Sequence, residues 1–201
     1  MSVSYDRLGR LAEAAGDAAG ARTWFEQALT IDRRLAEADP RNIDYQRNLS
    51  VSYERLGDVA LATEQLDAAR RYFLDALRLW EHVLTLTPTD THSSHARCVS
   101  LDRLARIALA SGDLPDAGRL WRQAAAIAEH SASIDSANAR YQQDLTHFRA
   151  RLAELDAGDK PPAPAEPPDE EPPVALGSTA PATQAVPARR QRGWLSRLRR
   201  R

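Results

Sequence analysis

The sequence predicts an all-α fold: an open, right-handed stack of antiparallel helical hairpins, closed by a C-terminal capping helix and followed by a disordered tail. Three observations predict it. First, the chain repeats itself at a spacing of 48: Tyr53-Glu54-Arg55-Leu56-Gly57 falls on Tyr5-Asp6-Arg7-Leu8-Gly9 on one side and on Leu101-Asp102-Arg103-Leu104-Ala105 on the other. Self-similarity at a fixed period of roughly 20 to 50 residues is the signature of a stacked repeat. Second, aromatic residues make up only 6% of the chain, while alanine, leucine and arginine abound, a balance that favours closely packed helices over sheets. Third, turn signals punctuate the repeats in register, with Pro40 and Pro88 one period apart.

The elements follow in order. Helix one is predicted from Ser2 to Ala15, with Tyr5, Leu8, Leu11, Ala12 and Ala15 at helical spacing, stopped by Gly16-Asp17, with Gly20 just past the turn. Helix two carries Ala21, Phe25, Ala28, Ile31 and Leu35, and ends at Asp39-Pro40, because the residue before a proline avoids the helical region. Residues 41–64 are the third helix, with Tyr45, Leu49, Leu56 and Ala60 on one face. Residues 66–86 are the fourth, turning Leu66, Ala69, Phe73, Ala76, Leu77 and Val83 inward. The fifth spans 91–110 and closes at Gly112-Asp113; the sixth spans about 115–134, with Pro115 suiting its first turn. The seventh, 138–156, carries Tyr141, Leu145, Phe148, Leu152 and Leu155. Asn42, Tyr45, Gln46 and Leu49 recur at Asn138, Tyr141, Gln142 and Leu145, so this helix opens a fourth copy and serves as the cap. At the other end Met1 to Tyr5 aligns with Leu49 to Tyr53. The first copy therefore starts mid-helix, as a shortened array or a start placed too far downstream. Either leaves an apolar edge at helices one and two that would fray or pair with another copy.

These residues resemble the tetratricopeptide repeat, a helical hairpin of about 34 residues. The resemblance rests on Tyr5, Leu8, Gly9, Ala12, Ala21, Phe25 and Ala28 in the first copy. It continues with Tyr53, Leu56, Gly57, Ala60, Ala69, Phe73 and Ala76 in the second, and Leu101, Leu104, Ala105, Ala108, Ala117, Trp121 and Ala124 in the third. The period here is longer, because Arg33, Glu81 and Glu129 stand where the family ends its second helix with proline. The resemblance implies a non-enzymatic scaffold or adaptor that binds a peptide or protein segment in a groove lined by the first helix of each hairpin. Asp6, Glu54 and Asp102 occupy one row of that face, and Arg10, Asp58 and Arg106 the next turn. They are expected either as i,i+4 surface pairs, Asp6–Arg10 and Asp102–Arg106, or as an acidic ladder attracting a basic peptide, for which the chain's own tail is one candidate.

The chain divides into an array over 1–156, a linker over 157–187 and a tail over 188–201. Residues 161–187 hold nine of the twelve prolines, interspersed with alanines and Glu166, Asp169, Glu170 and Glu171, a composition that cannot bury enough apolar surface to order itself. The net charge is −1, yet Arg189, Arg190, Arg192, Arg197, Arg199, Arg200 and Arg201 crowd the tail without an acid. With Trp194, Leu195 and Leu198 they form a short basic amphipathic stretch, whose first expected target is an anionic membrane surface. Nucleic acid, through counterion release, or an acidic partner protein are the alternatives.

Other classes find less support. Cys98, the one cysteine, falls one period from Ser50 and Thr146 and reads as a small-side-chain slot. His92 and His95 share a metal-like spacing without a third ligand, and His82 and His130 mark a repeat position. No phosphate loop, nucleophile elbow or dinucleotide fingerprint occurs, so neither catalysis nor a cofactor is expected. Lacking an apolar leader or span, the protein is expected in the cytoplasm, peripheral at the inner membrane surface. A part of a larger signalling or effector protein, or a nucleic-acid accessory protein, remains the alternative.

Overall fold

The computed structural model describes residues 2–158. Seven helices follow one another: α1 (Ser2–Ala14), α2 (Ala18–Ala38), α3 (Ile43–Ala62), α4 (Leu66–Leu86), α5 (Thr91–Ala110), α6 (Leu114–Ile134) and α7 (Ala139–Gly158). They pair as the hairpins α1–α2, α3–α4 and α5–α6, each second helix packs on the first helix of the next hairpin, and α7 covers α6 and touches α5. This is an all-α stack of hairpins with a capping helix. Among the described residues no helix is long and apolar enough to cross a membrane. Of the expected linker only Ala157 and Gly158 are described, and they belong to α7; the rest of it and the tail lie outside the described residues.

Side-chain caps set the starts of α2, α3, α5 and α6, whereas α4 starts without one. Asp17 accepts the Gly20 amide at 2.8 Å, so α2 begins at Ala18 and Gly20 belongs to its first turn. Asn42 accepts the Tyr45 amide at 3.1 Å, which starts α3 at Ile43 rather than at 41. Asp90 caps α5 by accepting the amides of His92 and Ser93, each at 3.2 Å, and Asp113 caps α6 by accepting that of Asp116 at 3.1 Å. The predicted end of the third helix at 64 also moves back, to Ala62, because Glu64 sits in the left-handed turn.

The core repeats with the hairpins. Ala21, Phe25 and Ala28 are buried in the first, Ala69, Phe73 and Ala76 in the second, Ala117, Trp121 and Ala124 in the third. Each aromatic fills the space left by a small residue on the preceding helix. Two departures from the predicted stripes stand out. Leu8 is 41% and Leu11 67% exposed, whereas their counterparts Leu56 and Val59, and Leu104 and Ile107, are buried. The latter pairs have a preceding hairpin against them: Leu56 and Val59 share a cluster with Phe25 and Leu29 of α2. In α2 the buried stripe runs through Leu29, Asp32 and Ala36, with Ile31 and Leu35 only half-buried.

Candidate functional site

The first helices of successive hairpins leave a groove between them, floored by the second helix. Between α3 and α5 it measures about 270 Å³ and is lined by Val51, Glu54 and Asp58 of α3, Trp80 of α4, and Ala96, Val99 and Arg103 of α5. Between α1 and α3 it measures about 110 Å³ and is lined by Val3 and Asp6 of α1, Asp32 of α2, and Asn48, Val51 and Ser52 of α3. Val3, Asp6, Asp32, Asn48 and Val51 stand one period before Val51, Glu54, Trp80, Ala96 and Val99. The two grooves are thus the same feature of successive hairpins, built with different side chains.

Carboxylates bridge the first helices across these grooves. Arg55 Nε donates to Asp6 at 3.3 Å, and Arg103 Nε donates to Asp58 at 2.8 Å. Glu54 accepts from Ser100 Oγ of α5 at 2.7 Å and from Trp80 Nε1 at 2.9 Å. Asp102 is buried and accepts from Trp121 Nε1 at 2.9 Å, with His147 of α7 at 3.3 Å. His95 Nδ1 lies 2.7 Å from Asp144, tying α5 to α7. The expected i,i+4 pairs Asp6–Arg10 and Asp102–Arg106 do not form: Asp6 turns to Arg55, and Asp102 to the indole and imidazole. Arg10 and Arg106 are exposed. Each of these acids thus has a partner in the next hairpin or in α7.

Burial, aided by the nearby Asp58 charge, pushes the Glu54 carboxyl above its ordinary range, against the pull of hydrogen bonds from Ser100 and Trp80. Burial works against Arg103, yet the hydrogen bond and charge of Asp58 prevail and raise it. Cys98 is buried, its Sγ facing the Ala124 carbonyl at 3.6 Å, and burial, with Asp144 adding to it, pushes the thiol up to about 12. It fills a slot and forms no thiolate nucleophile. His92 is exposed, edge-on to Trp80 with ring centroids 6.2 Å apart. His82 and His130 are exposed. Among the described residues no three or more His, Cys, Asp or Glu side chains are grouped to hold a metal.

Sequence reasoning missed Asp32, Trp80, Ser52, Ser100, Asp144 and His147. One signal was available for the first two. Extending the 48-residue alignment down the second helices sets Asp32 beside Trp80 and Ala128, a charge in a column that is otherwise apolar.

The comparison with protein families agrees with the repeat reading over the first two hairpins. A tetratricopeptide-repeat family model matches residues 2–41 and 48–85. The comparison with curated proteins yields no match. Among solved structures, the de novo designed helical repeat protein DHR64 is similar at 18% identity, covering 78% of this chain and 92% of its own, with a TM-score of 0.39. MamA protein is similar at 14% identity over 78% of this chain and 86% of its own, with a TM-score of 0.28. TPR-like repeats, nearly identical to one another and assigned to a kinesin light chain of Podosopora anserina, are similar at 19% identity. They cover 77% of this chain and 95% of their own, with a TM-score of 0.26. With its hairpins stacked in register at a constant sequence period, the chain is an all-α helical-repeat protein of TPR-like solenoid architecture.

Proposed function

We propose that the array is a tetratricopeptide-repeat scaffold that receives a peptide or protein segment along the grooves between its first helices. One observation carries this reading: the same groove recurs in successive hairpins with its lining changed from Asp32 to Trp80. A row of similar recesses with differing chemistry suits a segment read residue by residue, with each recess taking one side chain. Within that row Asp6, Asp32, Glu54 and Asp58 set the electrostatic character, whereas Asp102, Arg10 and Arg106 line neither recess. A site-resolved crosslinking experiment on the full chain tests it. A photo-reactive amino acid at Asn48 or His92, both exposed at the groove, should capture a defined partner segment. The same group at Glu26 or Arg71, on exposed faces of α2 and α4, should not. Capture from α2 and α4 with none from the grooves overturns the proposal.

The arginine-rich stretch over 188–201 adds a second reading, favoured by Trp194, Leu195 and Leu198 standing among its seven arginines. Phosphate contact alone has no use for these apolar residues, whereas an anionic membrane interface accommodates both. The tail then holds a cytoplasmic scaffold reversibly at the inner membrane surface, joined to the array by the proline-rich residues 157–187. Flotation with anionic and neutral vesicles decides it. Binding to anionic vesicles alone, weakened by W194A/L195A, supports the reading; binding to DNA without binding to vesicles overturns it.

A further inference from the structure

We propose that the groove between α1 and α3 is a socket for one basic side chain, arginine or lysine, of the bound segment, with the Asp32 carboxylate as its anchor. This rests on the peptide-groove reading above and names what its first recess selects. Asp32 is 4% exposed. Its Oδ2 accepts from Ser52 Oγ at 2.6 Å, but its Oδ1 is buried without a hydrogen-bond partner among the described residues. Both Asp32 and Asp6 line the recess.

The neighbouring hairpin shows what is different. At the position of Asp32 it carries Trp80, whose indole fills the floor and donates its N–H to Glu54 at 2.9 Å. The first hairpin exchanges that bulky donor for a small acceptor. The exchange removes a donor and adds a negative charge to a recess that is smaller, about 110 Å³ against about 270 Å³, while Arg55 answers only Asp6. A buried carboxylate oxygen left without a donor is costly, and a cationic donor answers both its charge and its lone pairs. A volume of about 110 Å³ admits the head of a lysine or arginine side chain, and the open groove lets the rest of the segment continue along α1 and α3.

The test titrates the full, isotope-labelled chain with N-acetyl-arginine amide, N-acetyl-lysine amide and the neutral N-acetyl-citrulline amide. The side-chain carboxyl of Asp32 and the amides of Asp6 and Ser52 are followed by NMR. The two cations should shift these signals saturably and citrulline should not. Asp32→Asn should weaken the response at least tenfold, Asp6→Asn less, and the remote Glu26→Gln not at all. Ser52→Ala, which leaves the charge and removes its donor, should tighten the response. That variant keeps the proposal falsifiable if Asp32→Asn fails to fold. An equal response to citrulline, an unchanged response in Asp32→Asn, or shifts spread evenly over all acids overturns the socket. So does the absence of any shift, which leaves a recess that holds water only. If capture at Asn48 persists while the amides fail, the socket is wrong and the scaffold stands. If the amides bind while capture at Asn48 and His92 fails, the scaffold reading is the one that falls.

Discussion

Gly57 faces a ring so closely that a methyl group in its place would lie 2.8 Å from Phe73, and Gly9 faces Phe25 in the same way. The third hairpin solves the same problem differently, with Ala105 opposite Trp121, whose indole is fixed by its bond to Asp102. Phe73 is 1% exposed and has nowhere to swing, so Gly57→Ala forces helix from helix and should cost about 1–3 kcal/mol, read from urea unfolding midpoints. Two carboxylates make opposite predictions about pH. Glu54 is raised above its ordinary 4.5, chiefly by burial. Its contribution to stability is fully present below its unfolded value and is lost as pH rises through the folded one. Glu54→Gln keeps an acceptor for Trp80 and Ser100, so it should be more stable than the parent at neutral pH, with the advantage shrinking as pH falls. Burial opposes the shift at Asp90, but hydrogen bonds from Ser93 and Arg47 and the Arg47 charge outweigh it and lower Asp90 below its ordinary 3.8. Its contribution is present above the unfolded value and disappears as pH falls through the folded one. Asp90→Asn should therefore destabilise at neutral pH and converge with the parent in acid. Thermal melts across pH, run on both variants, read the two slopes directly.

The turn inside each hairpin needs one residue with positive φ, and the period shows where: Gly16 at 77°, Glu64 at 58° and Gly112 at 78°. Only the middle one carries a side chain. A left-handed residue with a Cβ costs roughly 1–2 kcal/mol, whereas glycine adopts the conformation without that strain. Glu64→Gly should stabilise the protein by about 1 kcal/mol, seen as a raised unfolding midpoint, and an unchanged or lower midpoint would show that the side chain offsets the strain. Much of this level was legible in the sequence. Residues 66–86 and 91–110 coincide with α4 and α5: Pro88 separates the two and Gly112-Asp113 closes the second. The start of α3 was not, because Asn42 takes the cap that Asp39-Pro40 seemed to hand to residue 41. The phase of α2 was also missed. Ile31 and Leu35 satisfy the helical period as well as Leu29, Asp32 and Ala36 do, and only contact with α3, where Ser52 meets Asp32, decides between the two stripes.

At the scale of the whole molecule the row Asp6, Glu54 and Asp102 was legible from the period, but its partners were not. Arg55, Ser100, Arg103 and His147 lie 45 to 49 residues away from the acids they meet, and sequence reasoning looks for ion pairs one helical turn apart. Contacts between neighbouring repeats also make stability a sum of local terms in such an array. The cap exposes this most directly. Phe148 is 3% exposed and joins Leu120, Trp121 and Ala124 of α6 in one cluster, with Leu145, Leu152 and Leu155 packed against it. Phe148→Ala should cost about 3–5 kcal/mol, and the loss should stay near its origin. Amides of α7 and α6 should exchange with solvent faster, while those of α1 and α2 keep their protection, because no direct contact links the cap to the first hairpin among the helix pairs described. If hydrogen exchange instead accelerates equally in all seven helices, the hairpins fold as one indivisible block and each recess along the grooves answers to the whole array. A graded response, steepest at α7, makes each hairpin with its recess a separately adjustable unit, which a row of side-chain sockets requires.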